Sequence, residues 1–311
     1  MTRLIYTALL LLLTPLALLR LWLRGKRNPD YRLRWGERLG LVPELPERQR
    51  LWVHAVSVGE AIAAAPLVRA WQASHPDWAV LVTTTTPTGS AQVRRLFGES
   101  VEHCYLPFDL PWMVVLFLRR CQPSLGVVME TEIWPNLYAA SQGRGLPLIM
   151  ANARLSDKSF RAYGRLRWLV APTLQRVALI AARGREDADR FIELGASASQ
   201  VEALGNLKFD IERSPAVAAA GQAWRDWLGQ DRPVWIAAST HPGEEEQVLA
   251  AHRLLLESQP QALLVLAPRH PERAGAVSAA VQAAGLRALC RSTLAPAPQL
   301  PPDATRSEEH T

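Results

Sequence analysis

Cysteine is scarce and scattered. Cys104, Cys121 and Cys290 are an odd number at wide spacings with no C-x-x-C pair, so neither a disulfide framework nor a zinc site is indicated, and reduced thiols in a cytosol are the simplest account. No G-x-G-x-x-G follows a candidate strand and no G-x-x-x-x-G-K-[ST] occurs, which disfavours dinucleotide oxidoreductases and P-loop hydrolases. No histidine pair has zinc-helix spacing, and no repeat of fixed period is evident. Lysine is nearly missing, with three against 32 arginines. What remains is a folding sequence: 49% hydrophobic and 21% charged over 311 residues, enough for about two domains of roughly 100 to 200 residues.

Excess charge is also missing from most of the chain. Residues 1–50 hold ten basic and four acidic side chains, the whole of the net +6. The remainder is neutral, so the high isoelectric point is no nucleic-acid signature.

From Leu4 to Leu23 the chain is almost continuously apolar, interrupted by Tyr6, Thr7, Thr14, Pro15 and Arg20, close to the roughly 20 residues of a spanning helix. Arg20, Arg24, Lys26, Arg27, Arg32 and Arg34 follow while only Arg3 precedes, which places the rest in the cytoplasm. A helix lying in the membrane interface also suits Arg20 and Trp22. Gly25–Arg50 reads as a basic juxtamembrane linker drawn to acidic headgroups.

Beyond Arg50, strands are expected at 51–56, 79–84, 103–106, 125–129, 146–151 and 178–182, with helices at 61–73, 90–97, 112–120 and 135–143 between them. After an Ala-rich, strand-free stretch over 211–230, strands at 234–238, 262–267 and 286–290 alternate with helices at 244–256 and 272–284. Such alternation with apolar strands predicts α/β architecture, two doubly wound parallel sheets with ligands beyond the carboxyl ends of the strands.

The loops at those ends carry the candidate chemistry. Ser57-Val58-Gly59-Glu60 follows the first strand, and Glu60 is either a general base or a first-turn glutamate favoured by the helix dipole. Thr83–Gly89 suits an anion at a helix start with Pro87 at the first helical position, or is a capping sequence. Glu130 and Glu132 end a very apolar strand, as a cleft carboxylate pair or as one exposed and one helix-start acid. Arg154 holds a phosphate or pairs with those glutamates. Lys208 lies in the Gly205–Asp210 junction. In the second half Ser239-Thr240-His241-Pro242-Gly243-Glu244 and Arg269-His270 occupy phosphate-binding positions, the alternatives being a salt bridge to Glu272 or a satisfied surface histidine.

Nine segments in order, from Arg34-Trp35-Gly36-Glu37-Arg38 through His54–Glu60, Thr85–Ser90, Leu106–Asp109, Glu130–Asn136, Asn152–Ser156, Gly205–Asp210 and Ser239–Glu244 to Pro268–Glu272, resemble the membrane-anchored Kdo transferases, which add 3-deoxy-D-manno-oct-2-ulosonic acid to a lipid A precursor. The resemblance implies a GT-B glycosyltransferase fold of two Rossmann-like domains, CMP-Kdo as donor, lipid A precursor as acceptor, the cell inner membrane, and no metal or other cofactor. It implies Glu60 as catalytic base. Ser57, Gly59, Thr86, Gly89, Glu130, Glu132, Arg154 and Lys208 would stand on the acceptor side, and Ser239, Thr240, His241, Gly243, Glu244, Arg269 and His270 on the CMP side.

The expected organisation is an anchor over 1–24, a linker over 25–50, an acceptor domain over 51–210, a second linker over 211–231 and a donor domain over 232–305. Residues 306–311 read as a tail foreign to the family. Family members continue further and carry a G-G-H-N-x-L-E-type motif that this sequence lacks, so the donor domain is expected to be incomplete and the chain itself inactive. A GT-B transferase using another nucleotide sugar, and a non-catalytic membrane-tethered lipid A-binding fragment, are the competing readings.

Overall fold

A computed structural model describes residues 2–26, 28–209 and 215–290. The expected tail at 306–311, all of 291–305 and the start of the 211–231 linker lie outside the described residues. Two compact units divide the chain, Met1–Ile211 and Glu212–Thr311.

In the first unit a long helix, α1 (Thr2–Arg24), is followed by a 3-10 turn at Pro29–Arg32 and the single turn α2 (Trp35–Arg38). Strand and helix then alternate: β1 (Arg50–His54), α3 (Val58–Ser74), β2 (Ala79–Thr84), α4 (Pro87–Phe97), β3 (Glu102–Tyr105), α5 (Pro111–Cys121), β4 (Leu125–Met129) and α6 (Pro135–Gln142). The unit closes with β5 (Leu148–Ala153), α7 (Asp157–Arg165), α8 (Arg167–Leu174), β6 (Leu179–Ala182), α9 (Arg185–Leu194) and β7 (Val201–Ala203). Proline opens α4, α5 and α6, where its fixed φ fits and its missing N–H costs nothing.

All seven strands are parallel, in the order β3-β2-β1-β4-β5-β6-β7. The chain builds outward from β1 to β3 and then returns to lay β4 against β1, so the order reverses between β1 and β4. Loops leaving these two strands diverge to opposite faces and open a crevice there. Helices α3 and α4 cover one face through small residues such as Ala61, Ala64 and Val68, while α5, α6, α8 and α9 cover the other with Phe117, Tyr138, Leu174 and Phe191. Both faces are dry, which is why the strands read as apolar runs. Trp52 fills the centre at 0% exposure, and its register partner is Gly126. A Cβ on Gly126 would stand 2.5 Å from Leu148 Cδ2 and 3.0 Å from the indole, so only glycine leaves room for that ring.

Two sequence expectations need correction. Gly25–Arg50 is no simple linker to headgroups, because three of its arginines turn inward to find acceptors. Arg38 is 4% and Arg50 0% exposed. Arg38 Nη1 donates to Thr85 O at 2.9 Å, Arg50 Nε to Glu102 Oε2 at 2.6 Å, and Arg34 Nε to Glu37 Oε1 at 2.7 Å. The strand at 286–290 does not form. Leu286 N instead donates to Val281 O at 3.1 Å, closing the preceding helix, and no sheet edge takes up the run. The short β7 and the helices over 157–194 were not singled out from sequence.

Helix α1 is long and apolar enough to cross a membrane. Its Thr2, Tyr6, Thr7, Leu10 and Thr14 form a half-buried stripe, and Leu12 and Leu16 on other faces are 74% and 60% exposed. The helix touches α6 and α8. Near its start Thr7 bonds Asn136 at 3.0 Å, and near its end the Trp22 carbonyl accepts from Arg32 Nε at 3.3 Å. The first contact is with the body, and the second is with the 3-10 turn that follows the helix.

The second unit contains α10 (Pro215–Leu228), β8 (Val234–Thr240), α11 (Glu244–Ser258), β9 (Leu263–Pro268) and α12 (Ala274–Ala283), with β8 and β9 parallel. The strand-free stretch after Asp210 is thus largely helix, as its alanines favour. A 3-10 turn at Pro271–Arg273 precedes α12, and Arg273 grips the buried Glu245 with bonds of 2.8 and 3.2 Å.

Candidate active site

Glu60 sits in the first turn of α3, where Ser57 is the N-cap. Its Oε2 accepts from Val56 N at 2.7 Å and its Oε1 from Ser57 Oγ at 2.9 Å. The side chain therefore does what a capping glutamate does, yet it also lines a pocket of about 270 Å3 with Glu130, Thr131, Glu132, Arg154, Ser156 and Ser159. The two readings of Glu60 are not alternatives. A carboxylate has about four lone-pair positions, and the cap occupies two.

The pocket stands at the reversal between β1 and β4. Glu130 ends β4 with φ +57, a left-handed conformation that costs a non-glycine residue on the order of 1–3 kcal/mol. Its N–H is held by Ala151 O at 2.8 Å. Asn152 (φ +54) sits at the irregularity one residue before the end of β5, and its Oδ1 accepts from Leu207 N at 3.2 Å. Non-glycine residues in this conformation at two adjacent strand ends mark the rim as shaped for something other than stability alone.

Burial pushes the Glu60 carboxyl above the usual carboxylate range, opposed by the bonds from Val56 and Ser57 and reinforced by the nearby charge of Glu130. Burial, with the facing charge of Glu60, pushes Glu132 up to about 7. Two carboxyls in one pocket thus differ in proton affinity, the pattern by which one fold holds a base beside an acid. No ion pair joins Arg154 to these glutamates among the described residues, so the simple pairing role is not the one seen. Arg154 is exposed, and its carbonyl accepts from Thr131 Oγ1.

Thr86 and Gly89 are not in the pocket. Thr86 is the N-cap of α4, its Oγ1 accepting from Gly89 N at 3.1 Å, and it approaches Val56 O at 3.4 Å. A Cβ on Gly89 would lie 3.0 Å from Thr86 Oγ1 and 3.3 Å from Val56 O, so the residue must be small. This loop braces the segment that holds Glu60. Gly59 has open space beside it, in the same first turn as Glu60. Lys208 lies in the 3-10 turn Leu207–Phe209, and its side chain is outside the described part. Thr131 and Ser159 were missed. Nothing in their local sequence separates them from surface hydroxyls; only the crossing of β4 and β5 brings them beside Glu60.

In the second unit the loops after β8 and β9 come together. Arg269 N donates to Thr240 O at 3.0 Å, and the rings of His241 and His270 meet edge-on at 6.3 Å. Ser239 is left-handed at φ +59, and Gly243 (φ +92) precedes α11. Glu244 turns back on its own loop, its Oε2 accepting from His241 N at 2.8 Å, so it serves as a cap. His270 Nδ1 lies 3.8 Å from Glu272 Oε1 with both side chains exposed, a pairing worth little in water. Among the described residues no three His, Cys, Asp or Glu side chains are grouped to hold a metal ion.

Residues 33–211 match the family model described as 3-deoxy-D-manno-octulosonic-acid transferase (kdotransferase). The chain belongs to the Kdo transferase family. It is 42% identical to the 3-deoxy-D-manno-octulosonic acid transferase of Haemophilus influenzae over 94% of its length and 69% of that protein, and 38% identical to the Bordetella pertussis protein of that name over 94% and 70%. Kdo transferases are glycosyltransferases, and the doubly wound sheet fits the GT-B type. UDP-GlcNAc 2-epimerase from Neisseria meningitidis shares the fold, with a TM-score of 0.52 at 12% identity over 76% of this chain and 70% of that one.

Proposed function

We propose that this Kdo transferase moves Kdo from CMP-Kdo to the lipid A precursor lipid IVA, with inversion at the anomeric carbon, in lipopolysaccharide core biosynthesis at the cytoplasmic side of the inner membrane. The observation that carries the reading is Glu60, a half-buried carboxylate of raised proton affinity facing a pocket at the strand-order reversal. In the reaction an acceptor hydroxyl gives its proton to Glu60, its oxygen bonds the anomeric carbon, and the bond from that carbon to the CMP phosphate oxygen breaks. CMP departs with the electron pair, so no covalent enzyme intermediate is needed. Glu132, held near neutrality, donates a hydrogen bond to sugar or acceptor oxygens where a second carboxylate would repel them. Arg269, His270 and His241 supply cationic and hydrogen-bonding partners for the CMP phosphate, and Arg154 for an acceptor phosphate.

Helix α1, long and apolar enough to cross a membrane and bonded near its start to Asn136, supports membrane attachment. Exposed Trp112 and Val115 on α5, and Leu166 and Trp168 at the start of α8, extend the apolar surface. The exposed Lys158, Arg161, Arg165 and Arg167 supply charge for acidic headgroups and for a phosphorylated acceptor. An acceptor confined to the bilayer is then met by an enzyme confined there.

The test is transfer from CMP-Kdo to tetraacyl lipid A precursor in membranes, by the chain joined to the carboxyl-terminal part its relatives carry. Product formation that Glu60→Ala abolishes supports the proposal. Undiminished activity in that variant rejects the base, and transfer only from another nucleotide sugar rejects the donor. Binding of the precursor without transfer from any donor would leave a tethered binding module.

A further inference from the structure

Two segments remain without a role in the chemistry above: Leu106–Asp109 and the Asn136 end of the Glu130–Asn136 run. They meet each other at the start of α6, and α1 meets them there. Asn136 is 3% exposed, and its Nδ2 donates to Asp109 O at 2.7 Å and to Thr7 Oγ1 at 3.0 Å. Asp109, also 3% exposed, accepts from the amides of Asn136 at 3.0 Å and Leu137 at 2.7 Å, and faces the Tyr6 hydroxyl. Trp134, at the N-cap of α6, supplies no side-chain cap, so Asp109 satisfies that helix start from another element. One turn later Tyr138, at 0% exposure, donates its hydroxyl to the carbonyl of Glu132 at 2.5 Å.

A helix that served only to anchor would need no polar residues on its body-facing stripe, where each must find a partner or cost free energy. Thr7 is placed there and bonded to Asn136, and Tyr6 faces Asp109. From α1 the bonds reach the first turn of α6, whose backbone carries Tyr138 and its bond to the loop of Glu132. The geometry points to α1 as a working part of the acidic pocket, with Asp109, Asn136 and Tyr138 as positioning residues through which the docked helix holds the Glu132 loop. This rests on the reading that Glu132 belongs to the working site. It makes the membrane-facing helix a control element: lipid contacts that favour or oppose its docking change how well the pocket is formed.

The test is amide hydrogen exchange on the full chain bound to vesicles of phosphatidylethanolamine and phosphatidylglycerol, comparing wild type, Tyr6→Phe/Thr7→Val and Tyr138→Phe. The double substitution keeps the apolar surface and charge of α1. Exchange over 130–138 is expected to rise about fivefold, the loss of roughly one net hydrogen bond, while exchange over 50–54 and the vesicle-bound fraction stay as in wild type. In Tyr138→Phe the rise is confined to 130–134, with 2–24 unchanged. If the double variant leaves 130–134 at the wild-type rate, or Tyr138→Phe does, the helix is merely attached and the inference fails. Should the double variant unfold, seen as collapse over 50–54, Thr7→Val alone, which removes only the bond to Asn136, is read over 130–134 in its place and decides. None of these readouts needs turnover. A failure of the Kdo-transfer reading would appear separately, as absent product with the exchange changes intact.

Discussion

The loops that end the strands of the first unit gather carboxylates, whereas those of the second mix Arg269, His241 and His270 with Glu244 and Glu272. Glu60, Glu130 and Glu132 share a half-buried pocket, in which burial and neighbouring negative charge raise the proton affinity of Glu60 and Glu132. His241 and His270 stand exposed beside Arg269; of the acids there, Glu244 is spent on its own backbone and the exposed Glu272 lies 3.8 Å from His270. The difference fits the proposed transfer: taking a proton at neutral pH needs a group whose affinity a dry environment has tuned, while stabilising an anionic leaving group needs accessible hydrogen-bond donors and positive charge.

The largest expected effect breaks the acidic side. Glu60→Gln keeps the shape of the cap but removes the base, and transfer should fall about 10^3-fold, some 4 kcal/mol, in initial-rate assays with kcat and KM separated. Next is Glu132→Gln, read by denaturation across pH. Its carboxyl rises from 4.5 to about 7 on folding, so the folded chain binds the extra proton between those values. Its contribution to stability is full in acid and is lost as pH climbs through that window. The glutamine variant should lose this slope and be more stable than wild type at pH 8 by on the order of 3 kcal/mol. On the cationic side, Arg269→Ala should weaken CMP binding about 30-fold in calorimetry, roughly 2 kcal/mol for a charged hydrogen bond; unchanged affinity would dissolve the contrast. Smallest is Thr86→Ala, which removes the α4 cap and should cost about 1 kcal/mol in urea denaturation.

Much of this was legible in the sequence because the apolar runs are bounded by residues of fixed local meaning. Val80–Val82 and Val127–Met129 could only be interior strands, and Pro87 falls at the first helical position as its loop predicts. Glu60 was legible as a candidate, though not its double duty, since whether a first-turn carboxylate also faces a pocket depends on β4 lying next to β1. Of the two readings of Thr83–Gly89 the cap is the one seen, with Thr86 and Gly89 packed on Val56; spacing alone does not separate that role from a ligand contact. Leu286–Cys290 misled for the opposite reason: an apolar run is a strand only if a neighbouring edge accepts its backbone.

The inward arginines at 34, 38 and 50 carry a consequence for reading arginine-rich proteins. Arg34 bonds Glu37 and the carbonyl of His103 at once, and Arg50 reaches Glu102 and the carbonyl of Pro46. An ammonium at the end of a lysine lacks that planar fork. Nucleotide bias in a genome can explain arginine for lysine at freely solvated positions, where the codons are interchangeable in effect. At these three the choice of codon is fixed by stereochemistry, so a wholesale arginine-to-lysine recoding of the gene would fail here first.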